Sequence, residues 1–331
     1  MAEREITVVD ALNEALREEL RRDPYVILIG EDVASPTGRD RHGAIGVTKD
    51  LIFEFGPERI RNTPISESAI VGSALGAALV GCRPVAELMF IDLIGVAMDQ
   101  IMNQVARNRY MFGGQSKAPL VIRTPGGGGS GAAGHHSGSL EAMLVHIPGL
   151  VVIQPSTPYD YKGLLKTAIR DDNPVAFLEH KRNYGRKGPV PEEEYLVPIG
   201  VADIKRAGKD VTIIATASMV YEALTAAVEL AADGIEAEVV DPRTLKPLDT
   251  ETLAKSIRKT HRCIVVNEGC KTGGFASELA ATLGELVFDY LDAPIIRVAA
   301  EDVTMPANRR LEAEALPQTK DIIDAVHSII S

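Results

Sequence analysis

Residues 61–90 read RNTPISESAIVGSALGAALVGCRPVAELMF. Glu67 stands at the head of a run of 14 uncharged residues, Ala69 to Cys82, rich in Gly, Ala and Ser, with Gly72, Gly76 and Gly81 recurring along it. Small side chains let a helix approach another backbone closely, and the run is too short to span a bilayer. It predicts a buried helix followed by an apolar strand, Pro84–Met89. A helix crowded by small-residue contacts needs several neighbours, and a second subunit can supply one. Glu67, in the first turn, is aimed into an apolar crevice, where loss of water and a bound partner shift proton affinity. A carboxylate there also interacts favourably with its own helix terminus, so a structural role stays open beside a chemical one.

Outward from this stretch, apolar runs alternate with amphipathic segments, the pattern of an α/β chain. Thr7 and Asp10 form a capping signature ahead of a helix with Val8, Leu12, Ala15, Leu16 and Leu20 on one face. A strand follows at Tyr25–Gly30, ending in Glu31 and Asp32, and then a polar, Gly-containing loop over Val33–Val47. Further strands are expected at Leu120–Ile122, Val151–Ile153 and Val175–Leu178. Runs apolar on both faces suit the interior of a largely parallel sheet. Thr157 and Pro158 open a helix that reaches Arg170. The segment KRNYGRKGPVPEEEYLVP, Lys181–Pro198, then interrupts the alternation with Gly, Pro and charge. The expected organisation is a first domain over 1–184, a linker over 185–198 and a smaller α/β domain over 199–331.

Composition narrows the function classes. With 46 acidic and 35 basic residues the net charge is −11, which argues against nucleic-acid binding. The opening MAEREITVVDALNEAL lacks the apolar core of a secretory signal. Cys82, Cys263 and Cys270 suit neither a disulfide framework nor a metal cluster, so a reducing cytoplasm is expected, and with no segment closer to bilayer length than the 14-residue run no membrane association is expected.

The glycine run Gly126–Gly131 (GGGGSG) satisfies a dinucleotide fingerprint in spacing only. Such a site needs the glycines to open a helix with an acid about 20 residues on. Here Ala132–His136 and Ser137 intervene, and the first acid is Glu141. A loop that lets backbone approach a ligand fits better. It delivers His135 and His136, candidates for acid–base chemistry or, without a third ligand at short spacing, a weak metal pair. His146 reads as structural, and Asp99 with Asn103, one helical turn apart, as a buried polar network.

The ordered set TPISES, RPVAELMF, RTPGGGGSGAAGHHSGSLE, HIPGLVVIQPS, KGLLKTAIRDDNPVAFLEH and DPRTLKPLD resembles the beta subunit of thiamine-diphosphate-dependent 2-oxoacid dehydrogenases, a family that includes pyruvate, acetoin and branched-chain enzymes. The likeness runs from about Ile6 to Ile330. It implies a pyrimidine-binding domain followed by a transketolase C-terminal-like domain. It places Glu67 as the cofactor-activating glutamate, Ile65, Met89 and Leu93 along the pyrimidine, and His136 as the active-site histidine. Leu93 stands where relatives often have an aromatic residue, and Gly138 where many have Gln. By the same resemblance, backbone carbonyls of Leu120, Ala168, Ile169, Asp171 and Asn173 are candidate ligands for K⁺. No Gly-Asp-Gly segment occurs, so an alpha subunit is implied to hold Mg²⁺ and the diphosphate in an α2β2 assembly. The implied enzyme is an oxidoreductase that passes an acyl unit to a lipoyl group on an acyltransferase core, and is active only with its alpha partner. The central segment FIDLIGVAMDQIMNQVARNRYMFGG is similar to acetoin dehydrogenases and the tail VTMPANRRLEAEALPQTKDII to pyruvate dehydrogenases, despite Ala307 and Asn308, which leaves the substrate open. A split transketolase and a catalytically silent organising subunit are the rival readings.

Overall fold

The computed structural model describes residues 4–34 and 46–330, so most of the loop expected over 33–47 lies outside the described residues. The chain divides into two compact units, 1–126 with 143–199, and 127–142 with 200–331. In the first unit the elements are β1 (Glu5–Thr7), α1 (Val8–Arg22), β2 (Val26–Gly30), α2 (Leu51–Phe55), β3 (Ile60–Asn62), α3 (Glu67–Leu79), β4 (Arg83–Glu87), α4 (Ile94–Asp99), α5 (Asn108–Met111) and β5 (Val121–Gly126). After α6 (Glu141–Val145) come β6 (Val151–Ile153), α7 (Pro158–Arg170), β7 (Val175–His180) and β8 (Lys187–Pro189).

The strands of this unit hydrogen-bond in the order β6–β7–β5–β4–β2–β3, all parallel, and β1 pairs antiparallel with β8. β2, β5 and β7 are buried along their whole length, as strands covered on both faces must be. The capping box at α1 is present: Asp10 N–H donates to Thr7 Oγ1 (3.1 Å) and Thr7 N–H to Asp10 Oδ2 (3.3 Å), an arrangement worth about 1 kcal/mol. Leu12, Leu16 and Leu20 of α1 pack with Leu164, Leu165 and Phe177 in one core. At the flank, the buried Lys162 pairs with Glu14 (3.0 Å) and Glu18 (2.7 Å) of α1.

The second unit contains β9 (Asp203–Arg206), β10 (Val211–Ala215), α8 (Met219–Ala232), β11 (Ala237–Asp241), β12 (Thr244–Lys246), α9 (Thr250–Thr260), β13 (Cys263–Cys270), α10 (Phe275–Val287), β14 (Ile296–Ala300), α11 (Arg309–Ala315) and α12 (Thr319–Ile330). Its sheet runs β14–β13–β10–β11–β9, parallel except for the edge strand β9. Its separate core joins Ile213, Val239, Ile264 and Val266 to α8 and α12. Among the described residues no helix is long and apolar enough to cross a membrane.

Candidate active site

The register of the first sheet decides where its chemistry collects. Gly30 of β2 pairs with Asn62 of β3 and with Glu87 of β4, so the three strands end level. Ligands of open parallel sheets bind beyond the carboxyl ends of strands. Glu31 and Asp32 follow β2, Thr63–Glu67 follow β3, and Met89–Leu93 follow β4. Asn62 pins the turn after β2, accepting from Ala34 N–H (2.7 Å) and donating to Ala34 O (3.0 Å).

Glu67 opens α3 and is only 7% exposed. Its side chain accepts no hydrogen bond from any described residue. A buried carboxylate without a donor carries a desolvation cost that a ligand donor would remove. Nearby, Glu31 is pushed above the usual glutamate range by burial, then by Asp32 and then by Glu67. Ile65, 75% exposed, and the half-buried Met89 and Leu93 lie on the same end of the sheet. The hydroxyl of Thr63 is buried and unpartnered there among the described residues.

α3 is not enclosed on every side. Ile70, Val71, Ala74, Leu75 and Ala78 are buried, whereas Ala69, Ser73, Gly76 and Val80 form an exposed, uncharged face. A Cβ on Gly72 would lie 3.1 Å from Gln100 Oε1, a side-chain atom, and one on Gly76 or Gly81 would meet nothing within 4 Å, so these glycines do not mark the close backbone approach expected of them. Asp99 and Asn103 do bond (2.7 Å), but Asp99 is exposed, so their network is a surface feature rather than a buried one. Asn103 sits in a seven-residue π-helical segment, Gln100–Ala106, a geometry that spacing rules for α-helices cannot anticipate.

Behind the strand ends lies a charged group that sequence reasoning did not single out. Arg123 of β5, 1% exposed, donates to Glu179 of β7 through Nε (2.8 Å) and Nη2 (2.7 Å), and to Glu87 of β4 through Nη1. Tyr184 donates its hydroxyl to Glu179. Burial pulls the Arg123 pKa down, but Glu179 and Glu87 more than offset it and the net direction is upward. The legible signal was charge inside apolar strands: RPVAE, VIRTP and VAFLEH.

His135 and His136 are exposed on the glycine loop, in the second unit, and His146 is exposed as well. Gly127, Gly129 and Gly131 take positive φ (+84°, +84°, +72°), and their alternation with ordinary residues turns successive N–H groups to one side, an anion-binding nest. The protein fills it with its own carboxylates. Gly129 and Gly131 donate to Glu312 Oε1 (2.8 Å) and Oε2 (2.7 Å), and Gly128 donates to Glu268. This is why the run is not a dinucleotide loop: its amides are already spoken for.

Of the carbonyls considered for K⁺, Leu120 O accepts from Val175 N–H (2.9 Å) and Ala168 O from Asp171 N–H (3.3 Å). Arg83 Nη1 donates to Ile169 O (3.1 Å) and Asp171 O (2.9 Å), and Nη2 to Asp172 (2.7 Å). Two of these five carbonyls, Ile169 O and Asp171 O, are thus already engaged by a positively charged side chain. No cluster of three His, Cys, Asp or Glu side chains suited to a metal occurs among the described residues.

Residues 4–187 match the transketolase pyrimidine-binding domain family and residues 200–322 the transketolase C-terminal domain family. The chain is 46% identical to the acetoin:2,6-dichlorophenolindophenol oxidoreductase subunit beta of Bacillus subtilis (strain 168), over 99% of this chain and 98% of the relative. It is 44% identical to the pyruvate dehydrogenase E1 component subunit beta of the same organism, over 98% of this chain and 99% of the relative. A solved structure titled "Split gene transketolase, inactive beta4 tetramer" superposes with a TM-score of 0.79 at 25% identity, covering 98% of each chain.

Proposed function

This chain belongs to the family of thiamine-diphosphate-dependent 2-oxoacid and acetoin dehydrogenase beta subunits, and we propose that it supplies the pyrimidine half of a cofactor site completed by an alpha subunit. The observation that carries this reading is Glu67, a nearly buried carboxylate with no hydrogen-bond donor among the described residues. When bound, thiamine diphosphate supplies the carbanion chemistry and, through its own amino group, the base that generates it. Glu67 would hold a proton shared with the pyrimidine ring nitrogen, and the apolar setting would strengthen that bond by excluding water. Ile65, Met89 and Leu93 would pack along the ring. His136 would hold or move a proton at the substrate oxygen or at the incoming lipoyl group.

The diphosphate and Mg²⁺ would be held by the alpha subunit through a Gly-Asp-Gly segment, which this sequence lacks. An α2β2 assembly in a reducing cytoplasm, docked on a lipoyl-bearing acyltransferase core, is the setting that fits. The uncharged outer face of α3 and the exposed Tyr110, Met111 and Phe112 support a subunit partner. K⁺ would bind the backbone carbonyls of Leu120, Ala168, Ile169, Asp171 and Asn173.

Relatives of both kinds favour pyruvate or acetoin as source of a two-carbon unit. Identity well above that of the transketolase neighbour favours lipoyl acylation over sugar transfer, and the unpartnered Glu67 disfavours a silent organising role. Calorimetric titration of thiamine diphosphate into this chain alone and into the assembled complex tests the reading. Tight binding only in the complex is expected, and sub-micromolar binding to the lone chain would refute it. Turnover of pyruvate against acetoin by the complex identifies the substrate.

A further inference from the structure

We propose that Glu312 is a positioning residue for His136, acting as a built-in anion that fixes the conformation of the glycine loop. The inference rests on His136 working at the active site as read above. Glu312 is 1% exposed, and both of its oxygens are used by loop amides, Gly129 N–H and Gly131 N–H. From Gly131 the chain passes through Ala133, held at φ +60°, to His136, whose N–H donates to Ala133 O (3.2 Å). The imidazole is therefore placed by a short, turned segment whose near end is gripped by the carboxylate.

The grip is reinforced from the same region of chain. A Cβ on Gly128 would lie 2.9 Å from Leu316 Cδ1, one on Gly131 3.2 Å from Arg309 Cγ, and one on Gly134 2.5 Å from Thr304 Cγ2. Residues 304–316 thus cover the loop directly, and α11 presents Glu312 from an N-terminus capped by Asn308. Glu268 joins the loop's two stems: it accepts from Gly128 N–H on one and from Ser139 Oγ (3.4 Å) on the other, and also accepts from Ser218 Oγ (3.1 Å).

The two amides bond to different oxygens of Glu312, so both must be acceptors, which a carboxylate provides without any donor of its own. Glutamine at 312 would face one of the two amides with its NH₂ group, and the charge-assisted character of both bonds would be lost. A role confined to packing would tolerate that change, because the shape is nearly the same.

Hydrogen exchange on the full chain reads the grip without any cofactor. Glu312→Gln and Glu312→Ala are expected to speed exchange at Gly129 and Gly131 by about tenfold or more, while Glu314→Gln, exposed on the same helix, leaves it unchanged. Acetate, but not chloride at matched ionic strength, is expected to restore protection in Glu312→Ala. In the complex, kcat of Glu312→Ala should fall and recover with acetate, with the KM for thiamine diphosphate unchanged. Wild-type exchange in Glu312→Gln, or protection that acetate does not restore in Glu312→Ala, would overturn the proposal. Should Glu312→Ala not fold, Glu312→Gln alone decides. Loss of the cofactor reading would show as absent thiamine diphosphate binding in the wild-type complex, an outcome independent of the exchange data.

Discussion

Glu31 follows β2 and Glu67 opens α3, and the Glu67 carboxylate is one of the groups that make the Glu31 charge harder to hold. Burial, then Asp32, then Glu67 raise the Glu31 carboxyl above its ordinary value of 4.5. The native state therefore keeps this proton to higher pH than the unfolded chain does. Stability falls as pH rises from about 4.5 through the raised value, and the penalty is complete above it. Glu31→Gln removes the penalty. The variant should melt higher than the wild type at neutral pH, with the difference shrinking to nothing in acid. A wild type that gains stability across the same rise, relative to Glu31→Gln, would contradict this sign. Glu67 was legible in the sequence because a lone acid before 14 uncharged residues stands out. Glu312 was not, since its partners lie 183 and 181 residues away along the chain.

At the scale of elements, β4, β5 and β7 are tied together by Arg123, Glu87 and Glu179. Removing the cation leaves two buried carboxylates facing each other. Arg123→Leu should cost about 3–5 kcal/mol, measured by denaturant unfolding, whereas an exposed cation such as Arg61 should contribute little when replaced. A loss below about 1 kcal/mol would show that the triad is not structurally coupled. The loop after α7 offers a second test. Added K⁺, compared with tetramethylammonium at equal ionic strength, should raise the melting temperature, and Arg83→Met should change the size of that response. An unchanged melting temperature would remove K⁺ from the account. Strands and amphipathic helices were readable here because their periodicity is local: α7 begins at Pro158 and ends at Arg170 as capping and pattern imply. The carboxylates that fill the glycine nest come from positions distant in sequence, which no local pattern encodes, and nothing in the 3.6-residue periodicity marks the π-helical turn at 100–106.

For the whole molecule, the consequential feature is an uncharged α3 face that the chain does not bury itself. Gly76 lies on it, with nothing within 4 Å of a Cβ placed there. Gly76→Glu should leave the lone chain as stable or somewhat more so, by about 0.5–1 kcal/mol, because glycine is a poor helix former. The same change should block assembly with the alpha subunit, seen by sedimentation. Normal assembly would move the contact elsewhere.

The central claim is that Glu67 activates a coenzyme clasped jointly with a partner chain. Its most direct measurement is the rate at which the thiazolium C2 proton of bound thiamine diphosphate exchanges with deuterium in the assembled complex. Wild-type enzyme should exchange fast, and Glu67→Gln slower by about a hundredfold or more, with coenzyme still bound. Equal rates in the two proteins would contradict the account.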